Sequence, residues 1–473
     1  MKKKSNDNKI SSKKKEYIFY TIILILFVTL VSIVSLKHEY WADEANAWLI
    51  AADSSIVELF TKYLHTDGHP ALFHLIIKFF QFFGLNYDNF RIISILFSSL
   101  GVGIFLFKSN YKWYLKALLP FTYFIFYQYT VVTRGYCLVL LLLSCIAMLW
   151  EKRKEKCILF TIFTILLLSL ESYTFLIAGS IYLLNIIDYI KEYKQTKKHD
   201  KKLLTCLIVL FFAFLLTTIY VMPRSTNTFN HSDTIYYMSN SFIIPFNASY
   251  VVKDIGSLAI IFLLGYLLLK NQKKAIETII LLAPLLCFMS YKYCNLWHTG
   301  IMFLMILFIA WIHNYHKFKI FNIFMLLTCI VQIYWTVNTS IYDYKESYSP
   351  AKEVADFIKT QDYENMKIYG LRFYESAINA YFDKNIFYNW NKDTRFFYWN
   401  KNNIYYSYPY DTETLLKENV DMVITTPTYQ KIDRTEMKKY YDEYIFDGST
   451  YFQIDTYESM KAYVYIKKDN QTS

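Results

Sequence analysis

Between Tyr17 and Leu36 the chain carries no charged side chain. A run of about 20 apolar residues is long enough to cross a bilayer as a helix. Eleven further apolar stretches follow, near 69–84, 88–107, 113–130, 131–150, 157–170, 173–190, 203–222, 251–269, 275–290, 297–312 and 319–338. This pattern predicts a polytopic α-helical membrane protein. Hydrophobic residues make up 55% of the chain, which excludes intrinsic disorder because so much apolar surface does not stay in water. Seven cysteines in 473 residues are too few, and odd in number, for a secreted disulfide scaffold. No zinc-finger spacing and no P-loop is present.

The net charge of +11 is unevenly placed. Residues 339–473 are net −4, so the basic excess belongs to the part before them. There it reads as a topology signal rather than a nucleic-acid footprint. Residues 1–16 hold seven lysines and are expected to be a cytoplasmic tail. No small-residue cleavage site follows Leu36, so the first span reads as a retained anchor. The breaks Glu151–Lys156, Lys191–Lys202, Lys270–Lys274 and His313–Lys319 are rich in Lys and Arg and are expected inside. The chain then alternates cleanly from 151 onward, with loops 223–250 and 291–296 outside. Twelve crossings would return the tail to the inside, so either one stretch between 69 and 150 does not cross or one has been miscounted. The weakest are 69–84, which is short and carries Lys78, and 113–130. The expectation is 11 or 13 spans.

Three parts follow: a basic tail (1–16), a multi-span domain (17–338) with a first outer loop at 37–68, and an extracytoplasmic α/β domain (339–473). In the last, Ser349-Pro350 opens a helix, with Pro tolerated in a first turn. Met366–Leu371 and Asp421–Thr426 read as short strands. Ala462, Val464 and Ile466 alternate with Tyr463, Tyr465 and Lys467, as in an amphipathic strand. Tyrosines such as those in 405–410 could stack on sugar rings, but the whole chain is Tyr-rich and they are assigned to no site.

The first outer loop is the most informative segment. It reads Trp41-Ala42-Asp43-Glu44-Ala45-Asn46-Ala47-Trp48. Two adjacent carboxylates sit just beyond the first span. Ala45–Phe60 is patterned as an amphipathic helix that would lie along the membrane surface and hold both acids near its N-terminus. Then comes Asp67-Gly68-His69-Pro70-Ala71-Leu72-Phe73-His74, where an apolar stretch begins again. Taken singly, each of these residues could be an ordinary loop or interfacial side chain.

Order, spacing and topology together resemble the GT-C superfamily: Asp-Glu in the first outer loop, a helix, then His-Pro-x-Leu. Its members include the protein O-mannosyltransferases, the aminoarabinose transferases of lipid A and bacterial polyprenyl-phosphate-sugar transferases. The resemblance implies that Asp43 is the catalytic carboxylate, Glu44 its partner, and His69-Pro70 the start of the second segment. Where the mannosyltransferase pattern has Pro, Leu, Gly, Lys, this chain has Ala71, Leu72, Phe73 and His74. That departure argues against a protein mannosyltransferase.

Sugar transfer from a polyprenyl phosphate needs a base at the acceptor hydroxyl and positive charge at the departing phosphate. Arg134, Lys292, His298 and Arg224 are the candidate phosphate or substrate contacts beside His69 and His74. Arg134 is also readable as a snorkelling anchor, and His298 as an interfacial residue. Arg91 reads as a flanking charge. Asp43, Glu44, Asp67, His69 and His74 include metal-ligand types, but no helical H-x-x-x-H pair is present and no metal is assigned.

The expectation is therefore an inverting glycosyltransferase of the cell envelope. Its partners would be a polyprenyl-phosphate sugar donor, a glycan, lipid or protein acceptor, and membrane lipids. Two alternatives stand beside it: a transporter or flippase of lipid-linked sugars, and a non-catalytic assembly partner. The acids of the membrane part, Glu171 and Asp188 included, lie in loops or near span ends, which favours a surface site over a transport path.

Overall fold

The computed structural model describes residues 2–67, 69–222, 236–390, 394–397, 410–426, 431–454 and 456–468. Helix α1 (Lys2–Ser35) contains the first span. After the loop 36–41 come α2 (Ala42–Asp53) and α3 (Leu72–Phe82), then α4 (Arg91–Lys108). Beyond 131 the apolar stretches form α5 (Val139–Leu149), α6 (Cys157–Leu168), α7 (Ser172–Thr196), α8 (Lys201–Val221), α9 (Tyr250–Lys270), α10 (Gln272–Tyr291), α11 (Leu296–Ile312) and α12 (Lys319–Lys345). Among the described residues eight helices are long and apolar enough to span a membrane, and three shorter apolar helices (α3, α6 and α11) accompany them. Large apolar side chains stand outward on the peripheral helices, with Ile25, Leu216 and Phe262 all exposed. In water that would be unfavourable; against lipid tails it is not.

The parity problem is settled by α3. Its first residue donates from Leu72 N to Ser169 O at 2.9 Å, at the end of α6. Its middle lies along α2, with Lys78 Nζ donating to Ala51 O (2.7 Å) and Gln81 to Trp48 O (3.2 Å). The chain then returns through Tyr87 and Phe90, which pack on Tyr40 and Trp48. Both ends of α3 are thus on one side, and the stretch 69–84 does not cross. The other suspect, 113–130, does traverse the bundle, as a broken path of a short helix (Trp113–Leu118), a 3-10 turn containing Pro120 and a π-helical segment (Phe124–Val131). Pro120 removes a backbone donor and interrupts the helix. Such irregular backbone is tolerated at membrane depth only when protein surrounds it, and Thr122–Thr133 is buried throughout. Eleven apolar passes through the bundle result among the described residues, of which eight are long and apolar enough to cross a membrane. They leave the Lys-rich start of α1 and the C-terminal region at opposite ends of the bundle.

The expected surface helix 45–60 is not continuous. α2 stops at Asp53, and a new helix starts at Ser55, whose hydroxyl accepts from Glu58 N while Glu58 accepts from Ser55 N. This reciprocal cap makes the break a local choice of sequence. Nor does α2 lie free on the membrane. It is sandwiched between α3 and the C-terminal region.

That region has α13 (Ala351–Thr360) and a four-stranded sheet in the order β1-β2-β6-β3. The strands are β1 (Ile368–Gly370), β2 (Met422–Thr425), β3 (Tyr441–Phe446) and β6 (Ala462–Lys467), and only the β1–β2 pair is parallel. The strands expected at 366–371, 421–426 and 462–467 are all present, within a residue or two of their ends. A separate hairpin, β4 (Ser449–Gln453) and β5 (Thr456–Ser459), reaches down to the bundle. Tyr451 stacks on Tyr342 near the end of α12, and Gln453 accepts from Phe246 N at 2.8 Å. α12 continues through residue 339 to Lys345 without interruption.

Candidate active site

Adjacent carboxylates of α2 meet different fates, because successive residues of a helix point about 100° apart. Glu44 is fully buried. Its Oε2 accepts from Trp41 N (3.1 Å) and from His38 Nε2 (3.1 Å); its Oε1 accepts from Thr133 N (2.6 Å). The first of these bonds caps the start of α2. On its other side His38 faces Asp343 of α12 (Nδ1–Oδ2, 3.1 Å), which also accepts from Tyr127 Oη (3.0 Å). Burial alone would push His38 down, but the carboxylates of Asp343 and Glu44 outweigh it and hold the imidazolium up to about 10. One cation between two buried acids is a satisfied network. It locks the loop after α1 to α12, α2 and the 131–134 turn.

Asp43 is different. Its carboxylate is about a quarter exposed and pairs with Arg134 (Oδ2–Nη1, 2.9 Å). Arg134 stands next to Thr133, the residue whose N–H is held by Glu44, so Glu44 places the guanidinium that Asp43 meets. Gly135 follows. A Cβ there would collide with the Glu171 carboxylate and press on Phe73, so only glycine lets this turn close against α3 and the start of α7. Glu171 in turn pairs with His69 (Oε2–Nδ1, 2.5 Å). Asp43, Arg134, Glu171 and His69 thereby form two adjoining ion pairs at the end of the bundle.

Aromatic rings wall this end. Trp41, Trp297 of α11 and Phe452 of β4 contact one another at centroid distances of 5.7–6.3 Å. Tyr293 stands close enough to Asp43 and Arg134 to feel both; burial first, and Asp43 second, push its phenol up to about 12. His298 is buried among Tyr136, Tyr173 and Tyr293, and its Nδ1 accepts from Asn295 N at 2.9 Å, which puts its proton on Nε2. From the C-terminal region, Tyr374 approaches Asp43 and donates to Glu458 (2.9 Å). That region is fastened by Arg395, which clamps Asp53 at the end of α2 through its backbone N–H and its guanidinium, and by Phe397 N donating to Asn46 (2.8 Å).

Of the residues expected at the site, Asp43, Glu44, His69, Arg134 and His298 are brought to this end of the bundle. His74 is buried in the first turn of α3, five residues beyond His69. Lys292 is half-buried after α10 and forms no ion pair among the described residues. Arg224, Gly68 and most of 405–410 lie outside the described residues, and so does the side chain of Asp67. Arg91 serves structure, donating to Tyr40 Oη (2.9 Å) and to Ser35 O. Glu171 was noted in the sequence only as a boundary acid. His38 and Asp343 gave no sequence signal, since nothing local marks a partner 305 residues away, whereas Tyr293 lies in the aromatic loop between Lys292 and His298. Among the described residues no group of three His, Cys, Asp or Glu is arranged to hold a metal.

No protein-family model matches the chain, and no curated protein matches it. Solved structures do. ArnT from Cupriavidus metallidurans bound to undecaprenyl phosphate matches with a TM-score of 0.51 at 10% identity, over 94% of this chain and 98% of that one. The apo state of ArnT matches with a TM-score of 0.55 at 11% identity and the same coverage. At such identity the likeness speaks for fold, and it does so over nearly the whole chain: the helical membrane bundle with its C-terminal sheet region has the fold of ArnT, in line with the architecture that the first-loop motif led us to expect.

Proposed function

We propose that the chain is an integral-membrane glycosyltransferase that moves a sugar from a polyprenyl-phosphate donor to an acceptor in the cell envelope. The observation that carries this reading is the Asp43–Arg134 pair, a partly exposed acid and cation at an aromatic-walled bundle end, in the fold of ArnT, which has been solved with undecaprenyl phosphate. Asp43 is the general base. It takes the proton of the acceptor hydroxyl as that oxygen attacks the anomeric carbon, and the bond from that carbon to the phosphate oxygen breaks. One displacement inverts the anomeric centre. Arg134 supplies charged donors to the phosphate as negative charge gathers on it. The same guanidinium pairs with Asp43. Phosphate binding competes for it and frees the base. His69 and His298 line the donor side. Glu44 positions Arg134 and does not react.

The Lys-rich start of α1 belongs on the cytoplasmic side by the excess of positive charge there. Asp43 and the region 339–473 then face outward, where the region covers the site.

Envelope glycans are compared by mass spectrometry in a deletion strain, the deletion with wild type, and the deletion with Asp43→Asn at matched membrane abundance. A sugar lost on deletion, restored by wild type and not restored by Asp43→Asn supports the proposal. Full restoration by Asp43→Asn means that Asp43 is not the base, and the transporter or assembly-partner reading takes its place.

A further inference from the structure

At the far end of the same helices the charge is arranged differently. α11 starts at the aromatic wall and runs 17 residues, about 25 Å, to Ile312. α5, α9 and α10 also have one end there. Three of the basic breaks seen in the sequence, 151–156, 270–274 and 313–319, converge on one cleft of about 540 Å³. Its charged lining is Arg153, Lys270, Lys274 and Lys317 against Glu151.

Two of these cations are tied. Arg153 is held by Asp188 and lies 4.8 Å over the Trp150 ring, and Lys274 donates to Glu277 at 2.8 Å. Lys270 and Lys317 have no carboxylate within 4 Å among the described residues; Lys270 lies 5.7 Å over the Tyr266 ring, which leaves its charge uncompensated by any acid. Like charges gathered around one concavity repel, so the cleft holds a positive potential that an anion would relieve.

A second observation points the same way. His313 lines the cleft, its side chain is fully buried, and neither ring nitrogen has a hydrogen-bond partner. Glu277 Oε2 is 3.9 Å from Nε2, beyond hydrogen-bond reach. Burial, with Lys274 and Arg153 nearby, holds the imidazole down to about 3, so it is neutral and carries one N–H. A buried donor without an acceptor is costly and rare. Asn271 ties the ends of α9 and α11 together at the cleft, through its N–H to Leu267 O (3.0 Å) and its side chain to His313 O (3.3 Å).

We propose that this cleft binds a phosphate-bearing anion, namely the headgroup of an anionic phospholipid in the leaflet opposite Asp43. Lys270 and Lys317, which carry no ion pair among the described residues, supply the cations, and His313 supplies a neutral donor. A basic pocket between helix ends at a membrane surface is suited to such a headgroup, with the lipid's acyl chains continuing into the bilayer beside α9 and α12. The site is separate from the catalytic proposal and stands or falls without it.

The purified full-length protein is mixed with equimolar phosphatidylglycerol and phosphatidylcholine, and retained lipid is read by native mass spectrometry. Wild type is expected to keep phosphatidylglycerol preferentially. Lys270→Gln/Lys317→Gln should lower that retention roughly tenfold or more. The charge-keeping pair Lys270→Arg/Lys317→Arg should preserve it. Lys201→Gln/Lys202→Gln, at the start of α8 on the same face but outside the cleft, is the control and should change little. Both cleft lysines are exposed, and Lys317→Gln alone, expected to lose severalfold, serves if the double variant folds poorly. A parallel arm adds inorganic phosphate: displacement of the lipid shows that the phosphate group is what the cleft reads, and phosphate binding without lipid preference assigns the site to free phosphate. Equal retention of both lipids with no phosphate binding overturns the proposal. So does a loss in the control as large as in the cleft variant.

Discussion

The two ends of the helical bundle handle charge in opposite ways. At the Asp43 end nearly every charge has a partner: His38 lies between Glu44 and Asp343, Arg134 on Asp43, His69 on Glu171 and Arg395 on Asp53. The C-terminal region covers this end, and burial makes an unpaired charge there expensive. At the other end no domain sits on the helices among the described residues, and Lys270 and Lys317 stand exposed without a carboxylate partner. Paired charge builds a rigid site. Unpaired charge in a cleft leaves a binding capacity unused. Within the paired end the same contrast recurs on a smaller scale. Glu44 is consumed by structure, whereas Asp43, one residue earlier, stays about a quarter exposed while pairing with Arg134.

The largest expected effect tests Arg134. Arg134→Gln should lower transfer by roughly a hundredfold or more, the usual loss when one charge-stabilising donor is removed from a transition state. Arg134→Lys should recover only part, because a point charge replaces a planar fork. Rates of sugar transfer to the envelope acceptor check this. Wild-type rates in Arg134→Gln would remove the guanidinium from the chemistry.

Glu44→Ala should destabilise the fold by about 3–5 kcal/mol, since it strands the imidazolium of His38 and two backbone donors in a buried place. Asp43→Ala should stay within about 1 kcal/mol, because its partner is partly exposed. Denaturant unfolding of both variants sharpens the contrast, and equal losses would break it.

The pH dependence follows from His38. Its folded value, up to about 10, lies above its ordinary value of about 6.5. The stabilisation is therefore fully present below about 6.5, declines as pH rises and is gone once pH passes about 10. Melting temperature should fall across this alkaline window in wild type and fall less in His38→Ala. Parallel profiles in the two proteins would remove His38 as the cause.

The smallest effect concerns the fastening of the C-terminal region. Arg395→Ala removes a charge-assisted clamp on Asp53 and should cost about 2 kcal/mol. Hydrogen exchange should rise first in the backbone around 376–397 while the far end of the bundle stays protected. Uniform acceleration through all helices would show instead that the two regions unfold as one.

Much of this was legible in the chain. Hydropathy is a local property, so eleven of the twelve apolar stretches became traverses. The exception, 69–84, was already marked by its shortness and by Lys78, whose amine caps Ala51 O of a neighbouring helix rather than facing lipid. The tail strands were legible because alternation is local as well. The first-loop acids stood out through their order and spacing.

Other features were decided only by tertiary structure. Whether Asp43 or Glu44 is exposed depends on which face of α2 the 131–134 turn covers, and that turn is 89 residues beyond Glu44. His38 meets Asp343 across 305 residues, and Asp53 meets Arg395 across 342. The three basic breaks each read as a separate topology signal, and only helix packing gathered them into one cleft. The sequence by itself determined that this chain enters a membrane, where its apolar stretches lie and where its acids begin. Which charges would be paired was decided by the packing of distant helices, because an ion pair depends on distance in space and hydropathy on distance along the chain.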